Sequence, residues 1–192
     1  MLHADSIAFQ AAVEIDHSGG GIRPARLDDL PSLLELEQHF PTDRLSRRSL
    51  RRLILQTQAG LFVYEENGVV IGDIVVLYRR NSTRARLYSL IVHPVYQGRG
   101  IATALLSAAE RAATNRGCDV LSLEVRADNG AALRLYQKMG YTVIARVENY
   151  YDDQSPALRL EKEVGRSCAS MRPRHSQNPS LRSSLCSTSS KK

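Results

Sequence analysis

The residues best suited to chemistry lie in one stretch, Val92-His-Pro-Val-Tyr-Gln-Gly-Arg-Gly-Ile-Ala-Thr-Ala-Leu-Leu106. A β-rich run ends near Val92, Pro94 breaks it, and Gly98 and Gly100 lead straight into a helical pattern. Glycine lets the backbone come close to a ligand and adopt torsions that other residues resist. A helix N-terminus adds unpaired N–H groups and the positive end of the dipole. Gly98 to Thr103 therefore form an expected anion seat fit for a pyrophosphate, and Arg99 would add a charge-assisted donor. The spacing is neither the Gly-x-Gly-x-x-Gly of a dinucleotide fold nor the Gly-Lys-Ser/Thr of a P-loop. On these residues alone, an ordinary strand–turn–helix connection with glycines for turn geometry fits as well.

A second group lies downstream. In the run 120–125, Leu121, Leu123 and Val125 share one face, and Val120, Ser122 and Glu124 the other. A carboxylate near the end of a central strand is costly to bury without a task or a partner. Glu124 is thus either a general base or the ion-pair partner of Arg126 or of a basic neighbour such as Arg86. Asn129 opens a helical pattern in which Tyr136 falls in phase with Ala132 and Met139. A tyrosine so placed is commonly a core residue with its hydroxyl bonded locally. His93, beside Pro94, reads as structural rather than as a second base, and Cys118, after a helix-stopping glycine, as a small buried residue. Arg47, Arg48, Arg51 and Arg52 make a basic helix surface, which is either solvated or faces an acidic peptide.

Alternating strands and helices position these groups. Ile22 to Arg26 is an expected strand, and Asp28 or Asp29 caps a helix carrying Leu30, Leu33, Leu34 and Leu36. Ser46 opens a second helix with Leu50, Leu53 and Ile54 on one face. Leu61 to Glu66 and Val69 to Tyr78 are strands joined by Asn67-Gly68, a hairpin signal of the primed-turn type. Arg84 to Val92 is a strand, Gly100 to Arg116 a helix ended by Gly117, and Val120 to Val125 a strand. Asn129 to Met139 is a helix stopped by Gly140, and Tyr141 to Val147 and Ala157 to Glu163 close the domain as strands. The order β-α-α-β-β-β-α-β-α-β-β describes a mixed α/β sheet.

Composition bounds the rest. Of 192 residues, 26 are basic and 20 acidic, a formal net charge of +6. Six of the basic residues (Arg166, Arg172, Arg174, Arg182, Lys191 and Lys192) lie beyond Gly165 with no acidic residue among them, so residues 1–164 hold 26 − 6 = 20 basic against 20 acidic and are formally neutral. That distribution argues against a nucleic-acid binder, because the excess charge sits in a Ser/Arg/Pro-rich tail expected to be disordered. Residues 1–21 read as a flexible leader, 22–164 as the one domain and 165–192 as the tail. No apolar run approaches the roughly 20 residues of a membrane span, and a soluble cytoplasmic protein is expected. The three cysteines show neither a disulfide framework nor a metal-ligand spacing, and no metal is expected.

Gln97-x-x-Gly100-x-Ala102, with the preceding His-Pro and the following Ala-Leu-Leu, resembles the acetyl-CoA signature of the GNAT superfamily, Gln/Arg-x-x-Gly-x-Gly/Ala. Leu123-Glu-Val-Arg-Ala-Asp-Asn-Gly-Ala-Ala-Leu-Arg-Leu-Tyr136, Met139-Gly-Tyr141 and Asn149-Tyr-Tyr151 look like its ribosomal-protein-alanine, RimI-like branch. The resemblance implies a GNAT (acyl-CoA N-acyltransferase) fold, a mixed central sheet with splayed central strands and flanking helices. It implies that Leu90, Ile91 and Val92 pair with the pantetheine arm, that the N–H near Val92 polarises the thioester carbonyl, and that Gln97, Gly98, Arg99, Gly100, Ile101, Ala102 and Thr103 hold the pyrophosphate. Asn129 would contact the arm, Glu124 would be the base and Tyr136 the proton donor to the sulfur. The implied activity is acetyl transfer from acetyl-CoA to an amine, foremost a protein N-terminal α-amine, otherwise a lysine side chain or a small amine. A non-catalytic acyl-CoA-binding module is the rival of another class; an intact Glu124 and Tyr136 argue against it. The oligomeric state is not addressed by the sequence.

Overall fold

The computed structural model describes residues 14–15, 20–40 and 44–165. Their elements are β1 (Glu14–Ile15), β2 (Gly20–Pro24), α1 (Leu30–Gln38), α2 (Arg47–Leu55), β3 (Ala59–Glu66), β4 (Val69–Tyr78), β5 (Arg84–Val92), α3 (Ile101–Asn115), β6 (Val120–Arg126), α4 (Gly130–Lys138), β7 (Thr142–Val147) and β8 (Ala157–Glu163). The strands form one sheet in the order β1-β2-β3-β4-β5-β6-β8-β7, and β5–β6 is its parallel pair.

Local chemistry explains most boundaries. Asp29 precedes α1; its carboxylate accepts the Arg26 N–H at 2.6 Å and a bidentate pair of bonds from Arg23, both at 2.8 Å. Ser46 caps α2 by accepting the Ser49 N–H at 3.2 Å. In the β3–β4 turn Asn67 and Gly68 have φ of 51° and 79°. Left-handed torsions at both central residues are what a type I′ turn needs. α3 ends as Gly117 takes a φ of 77°.

Both faces of the sheet are covered, so β4 is a nearly unbroken apolar run rather than an alternating one. On one face α1 and α2 bury Leu30, Leu33, Leu36, Leu50 and Leu53 against Val63, Val75 and Ile91. On the other, Leu105, Leu106 and Ala109 of α3 pack on Ile74, Val76 and Leu121.

The feature that matters for a site is where pairing stops. β5 and β6 pair only at Arg84↔Val120, Ala85↔Leu121 and Arg86↔Ser122. From Leu87 to Val92 the strand keeps β4 on one side and loses β6 on the other. The β4–β5 register also slips between Val75↔Ser89 and Val76↔Leu87, leaving Tyr88 as the extra residue of a bulge. A bulge bends its strand and increases its twist, so the irregularity sits where the two central strands part.

The structure departs from the sequence reading at three elements, one of them a 3-10 turn at Leu27–Asp29 just before α1. Glu14–Ile15 pairs with Gly21 and Ile22, and Gly20 already belongs to β2. The sheet therefore begins inside the stretch read as a leader. Pro94–Tyr96 also form a 3-10 turn. The remainder of that leader and residues 166–192 lie outside the described residues. Among the described residues no helix is long and apolar enough to cross a membrane.

Candidate active site

The glycine loop is built as an anion seat. Gln97 donates from Nε2 to the Val92 carbonyl at 3.1 Å and so folds the loop back on the strand it leaves. Gly98 and Gly100 have φ of 78° and 82°. A Cβ at either would meet no atom within 4 Å, so the demand for glycine is torsional, not spatial. Gly100 is the N-cap of α3, no side chain caps it, and no acidic residue occupies the first turn. The first intrahelical bond runs from the Ala104 N–H to the Gly100 carbonyl at 3.0 Å. The N–H groups of Ile101, Ala102 and Thr103 accordingly have no helical acceptor. Ile101 is buried and anchors the turn, while Gly98, Arg99 and Gly100 are exposed. Main-chain donors, a helix dipole and open access suit a pyrophosphate.

Arg99 differs from the expectation of a free donor. Its guanidinium is bound by Glu66 at 2.5 and 3.1 Å and lies 5.3 Å from the centroid of the Tyr96 ring. Glu66 stands at the end of β3, far away in sequence, so this pairing had no local signal. An anion reaching Arg99 must compete with a carboxylate.

From the loop, the gap between β5 and β6 leads along Leu90, Ile91 and Val92; Leu90 is half-buried and the other two buried. An unpaired strand edge offers alternating main-chain donors and acceptors, which fits the amides of a pantetheine arm. Asn129 caps α4: its Oδ1 accepts the Ala132 N–H at 3.0 Å, leaving the side-chain NH2 as the half available to a ligand.

Beside the open edge of β5 lies a cavity of about 390 Å³. Its wall includes Glu37 and Phe40 from the end of α1, Tyr88 and Ile91 from β5, and Glu124 from β6, together with Tyr150 and Tyr151. The side chain of Glu124 is 9% exposed. Its Oε1 accepts from Arg159 Nε at 2.9 Å, and its Oε2 lies 2.9 Å from Arg86 Nε, an ion pair without hydrogen-bond geometry. Of the two sequence alternatives for its partner, Arg86 is observed and Arg126 is not; Arg159, its cross-strand neighbour on β8, was missed. Arg86 also donates to the Tyr150 hydroxyl at 2.7 Å. Arg126 instead holds the tyrosine loop, bonding Asp153 at 2.9 Å and Ser155 at 2.8 Å and lying 5.0 Å from the centroid of the Tyr151 ring. The cavity therefore brings Glu124, Ile91 and the tyrosine pair together.

Tyr136 is not part of that wall. It is buried on α4, edge-to-face with Tyr141 at 5.8 Å. Burial pushes its hydroxyl well above the ordinary tyrosine range, and the neighbouring Tyr151 hydroxyl adds to the effect. It remains a proton-bearing group throughout the neutral range. His93 is structural: its Nδ1 accepts the Val95 N–H at 3.3 Å and its ring packs on His39 at 4.5 Å. Cys118 is buried, with its thiol pushed up by that burial. Arg47, Arg48, Arg51 and Arg52 are exposed, and none lines the cavity, so the basic face of α2 is set apart from it.

Two buried carboxylates escaped the sequence reading: Glu37, in the cavity wall, and Asp73, on β4. The available signal was an acidic residue inside an apolar strand, Val69-Val-Ile-Gly-Asp-Ile-Val-Val76. A second cavity of about 430 Å³ opens beside Glu110, Thr114 and Lys162 and shares no lining residue with the first. Among the described residues no group of three or more His, Cys, Asp or Glu could hold a metal ion.

Central strands that part beside a helix entered through positive-φ glycines define an acyl-CoA N-acyltransferase fold. Residues 30–141 match the acetyltransferase (GNAT) family. A protein of Yersinia pestis (strain Pestoides F) named acetyltransferase is 42% identical over 123 residues, which are 62% of this chain and 86% of that one. The chain belongs to the acetyltransferase (GNAT) family and is an acetyl-CoA-dependent N-acetyltransferase. Among solved structures, the ribosomal-protein-S18-alanine N-acetyltransferase of Escherichia coli superposes with a TM-score of 0.70 at 26% identity, covering 80% of this chain and 97% of that one. The NatC complex bound to Gag peptide and CoA contains a chain that superposes with a TM-score of 0.67 at 25% identity, covering 75% and 98%.

Proposed function

We propose that this acetyltransferase modifies the N-terminal α-amine of a protein or peptide. The observation that carries the reading is the cavity itself. It meets the splay at Ile91 and is bounded by three carboxylates, Glu37, Glu124 and Asp152, and by tyrosines on a loop clamped by Arg86 and Arg126. An acidic, aromatic-walled space accommodates an ammonium and the first residues of a chain. The likeness to an alanine N-acetyltransferase and to a chain of the peptide-bound NatC complex supports the same reading. An α-amine also loses its proton near ~8, against ~10.4 for lysine, so it demands less of a base.

Acetyl-CoA supplies an activated acyl group; the chain supplies its seat, the oxyanion donor and the proton traffic. Gly98 to Thr103 hold the pyrophosphate through main-chain N–H groups, and Leu90 to Val92 align the arm along the open edge of β5. The N–H near Val92 stabilises the oxyanion that develops at the carbonyl. Glu124 accepts a proton from the attacking nitrogen, with Arg86 and Arg159 fixing its orientation. Tyr136 donates to the departing sulfur, a role suited to a hydroxyl that burial keeps protonated.

The test is acetyl transfer to matched peptides: one with a free α-amine, one Nα-blocked with an internal lysine, and a polyamine. Turnover of the free-α-amine peptide well above the other two is expected. Turnover confined to the blocked lysine peptide or the polyamine would overturn the reading.

A further inference from the structure

Aminolysis of a thioester by an ammonium must dispose of two protons: one before nitrogen can attack and one after the C–N bond has formed. Glu124 is a single carboxylate already engaged by two guanidiniums, which compete with an incoming ammonium for its oxygens. The part of the cavity wall supplied by α1 holds a different kind of acid. Glu37 is 4% exposed and lines the cavity; its Oε2 accepts the Leu45 N–H at 2.9 Å, and its Oε1 has no hydrogen-bond partner among the described residues. Asp73 is 1% exposed, and neither of its oxygens has a partner among the described residues. It lies in β4 between Val63 of β3 and Ile91 of β5, its register partners. Those two and Val75 pack against α1 and α2, so Asp73 points to the same side and comes within electrostatic reach of Glu37.

A buried carboxyl with no donor around it is costly to leave ionised, and two such groups in one low-dielectric space do not both carry charge. Burial first, and then the charge of Glu37, push Asp73 up to about 8. Burial also raises Glu37, but the Leu45 N–H and the charge of Arg44 oppose the rise. The asymmetry assigns the proton to Asp73 and the negative charge to Glu37. The other ionisable groups near the pair are His39, two residues beyond Glu37 and packed on His93, and, in the cavity wall, Arg86, Glu124, Tyr88, Tyr150, Tyr151 and Asp152.

We infer that the Glu37–Asp73 pair is a second proton acceptor of this active site, which takes the first proton of the acceptor ammonium while Glu124 takes the second. The first step breaks one N–H bond, leaves its electron pair on nitrogen and forms an O–H bond on Glu37. Nitrogen then attacks the acyl carbon. Its second proton passes to Glu124 as the C–S bond breaks, and the sulfur takes the hydroxyl proton of Tyr136. Glu37 is the group that meets the acceptor; Asp73 is a positioning residue that acts through it by holding a proton close by. The inference rests on an amine acceptor entering this cavity and does not require that amine to be a peptide N-terminus.

The experiment is the pH profile of kcat/KM for the wild type and Glu37→Gln, with whichever amine the wild type acetylates. Glutamine keeps an oxygen for the Leu45 N–H and removes the proton acceptor. For an α-amine that titrates near ~8, about a tenth is neutral at pH 7, so Glu37→Gln should lose on the order of 10-fold there, more for an amine of higher pKa, and recover as the pH reaches the amine's own pKa, where the amine arrives neutral. Its affinity for acetyl-CoA should be unchanged. A profile superposable on that of the wild type would overturn the inference. A second readout needs no turnover: carbon-13 titration of aspartate carboxyls in the wild-type protein, with Asp73→Asn to assign the signal. One carboxyl still protonated at neutral pH, and missing from Asp73→Asn, is expected; every aspartate ionised there would overturn it. If the wild type turns over no peptide but does turn over another amine, the peptide reading fails and the profile still tests the pair.

Discussion

At the residue scale the site divides its labour by environment. Glu124 is held by two arginines, Tyr136 is buried with a ring for a neighbour, and Asp73 is buried without a hydrogen-bond partner among the described residues. Tyr136→Phe removes one oxygen and keeps the buried ring. It should lower kcat on the order of 10²-fold and leave acetyl-CoA affinity intact, as read by steady-state kinetics beside a CoA titration. Asp73 makes a prediction in stability. In the unfolded chain it titrates near 3.8 and in the folded protein at about 8. Between those values the folded state binds the extra proton, so stability falls as pH rises through the window and levels off above it. The slope is at most about 1.4 kcal/mol per pH unit for one group. Asp73→Asn cannot lose a proton, so it should flatten the fall and unfold at a higher denaturant concentration than the wild type above pH 8. Equal slopes in the two proteins would count against a protonated Asp73. Glu124, Asn129, Tyr136 and the glycines could be named from the sequence through the family resemblance, because the motifs that carry it lie within single strand–helix units. Glu37 and Asp73 were not, since their proximity exists only after α1 has packed on β4. In the chain one is simply a polar position on an amphipathic helix and the other an interruption in a strand.

At the element scale the working parts are an unpaired strand edge and a helix start. Both follow from β5, which leaves β6 after Arg86 and runs into the glycine loop. The loop's glycines are needed for torsion: Gly100 has a φ of 82° and empty space where a Cβ would stand. Gly100→Ala should therefore fold, lose about 1–2 kcal/mol if the left-handed torsion is kept, and raise the KM for acetyl-CoA as the N–H groups of Ile101 to Thr103 shift. A fluorescence titration with CoA would read this directly, and an unchanged affinity would remove the torsion from the binding account. Elements with strong local chemistry were legible to within a residue or two: the Asn67-Gly68 hairpin, the helix capped by Ser46, and α3 between two positive-φ glycines. β1 was not, because two residues carry no period and only pairing with β2 makes them a strand. The splay was implied by family resemblance and by nothing in the composition of β5. It is a property of which neighbours a strand lacks. The capture of Arg99 by Glu66 was hidden for a related reason, since hairpin and loop meet only in the folded sheet.

At the scale of the whole molecule, β8, which lies between β6 and β7, is fastened to α3 by residues at and just beyond its C-terminal end. The Val164 N–H donates to the Asp119 carbonyl at 2.8 Å, and Thr114 Oγ1 donates to the Val164 carbonyl at 2.6 Å. Lys162 bridges to Glu110 at 2.7 Å, and a Cβ on Gly165 would come within 2.9 Å of the Asp119 side chain. These contacts tie β8 to the end of α3, and α3 is the helix whose start holds the phosphate seat. The charge of the chain is distributed the other way: six unopposed basic residues follow Gly165, while residues 1–164 balance 20 against 20. Two truncations separate fold from charge. A chain ending at Gly165 keeps every fastening bond and should retain its unfolding midpoint, its turnover and the same dependence on ionic strength. A chain ending at Glu161 loses the Lys162 bridge and the Val164 bonds. At about 1 kcal/mol per net hydrogen bond, and about 2–4 °C per kcal/mol in a protein of this size, its midpoint should drop by several degrees. CoA affinity should fall with it as α3 loosens. If the longer truncation product lost turnover while keeping its midpoint, residues 166–192 would have to contribute to acceptor capture, and the formal neutrality of the remainder would no longer describe how the enzyme meets its substrate.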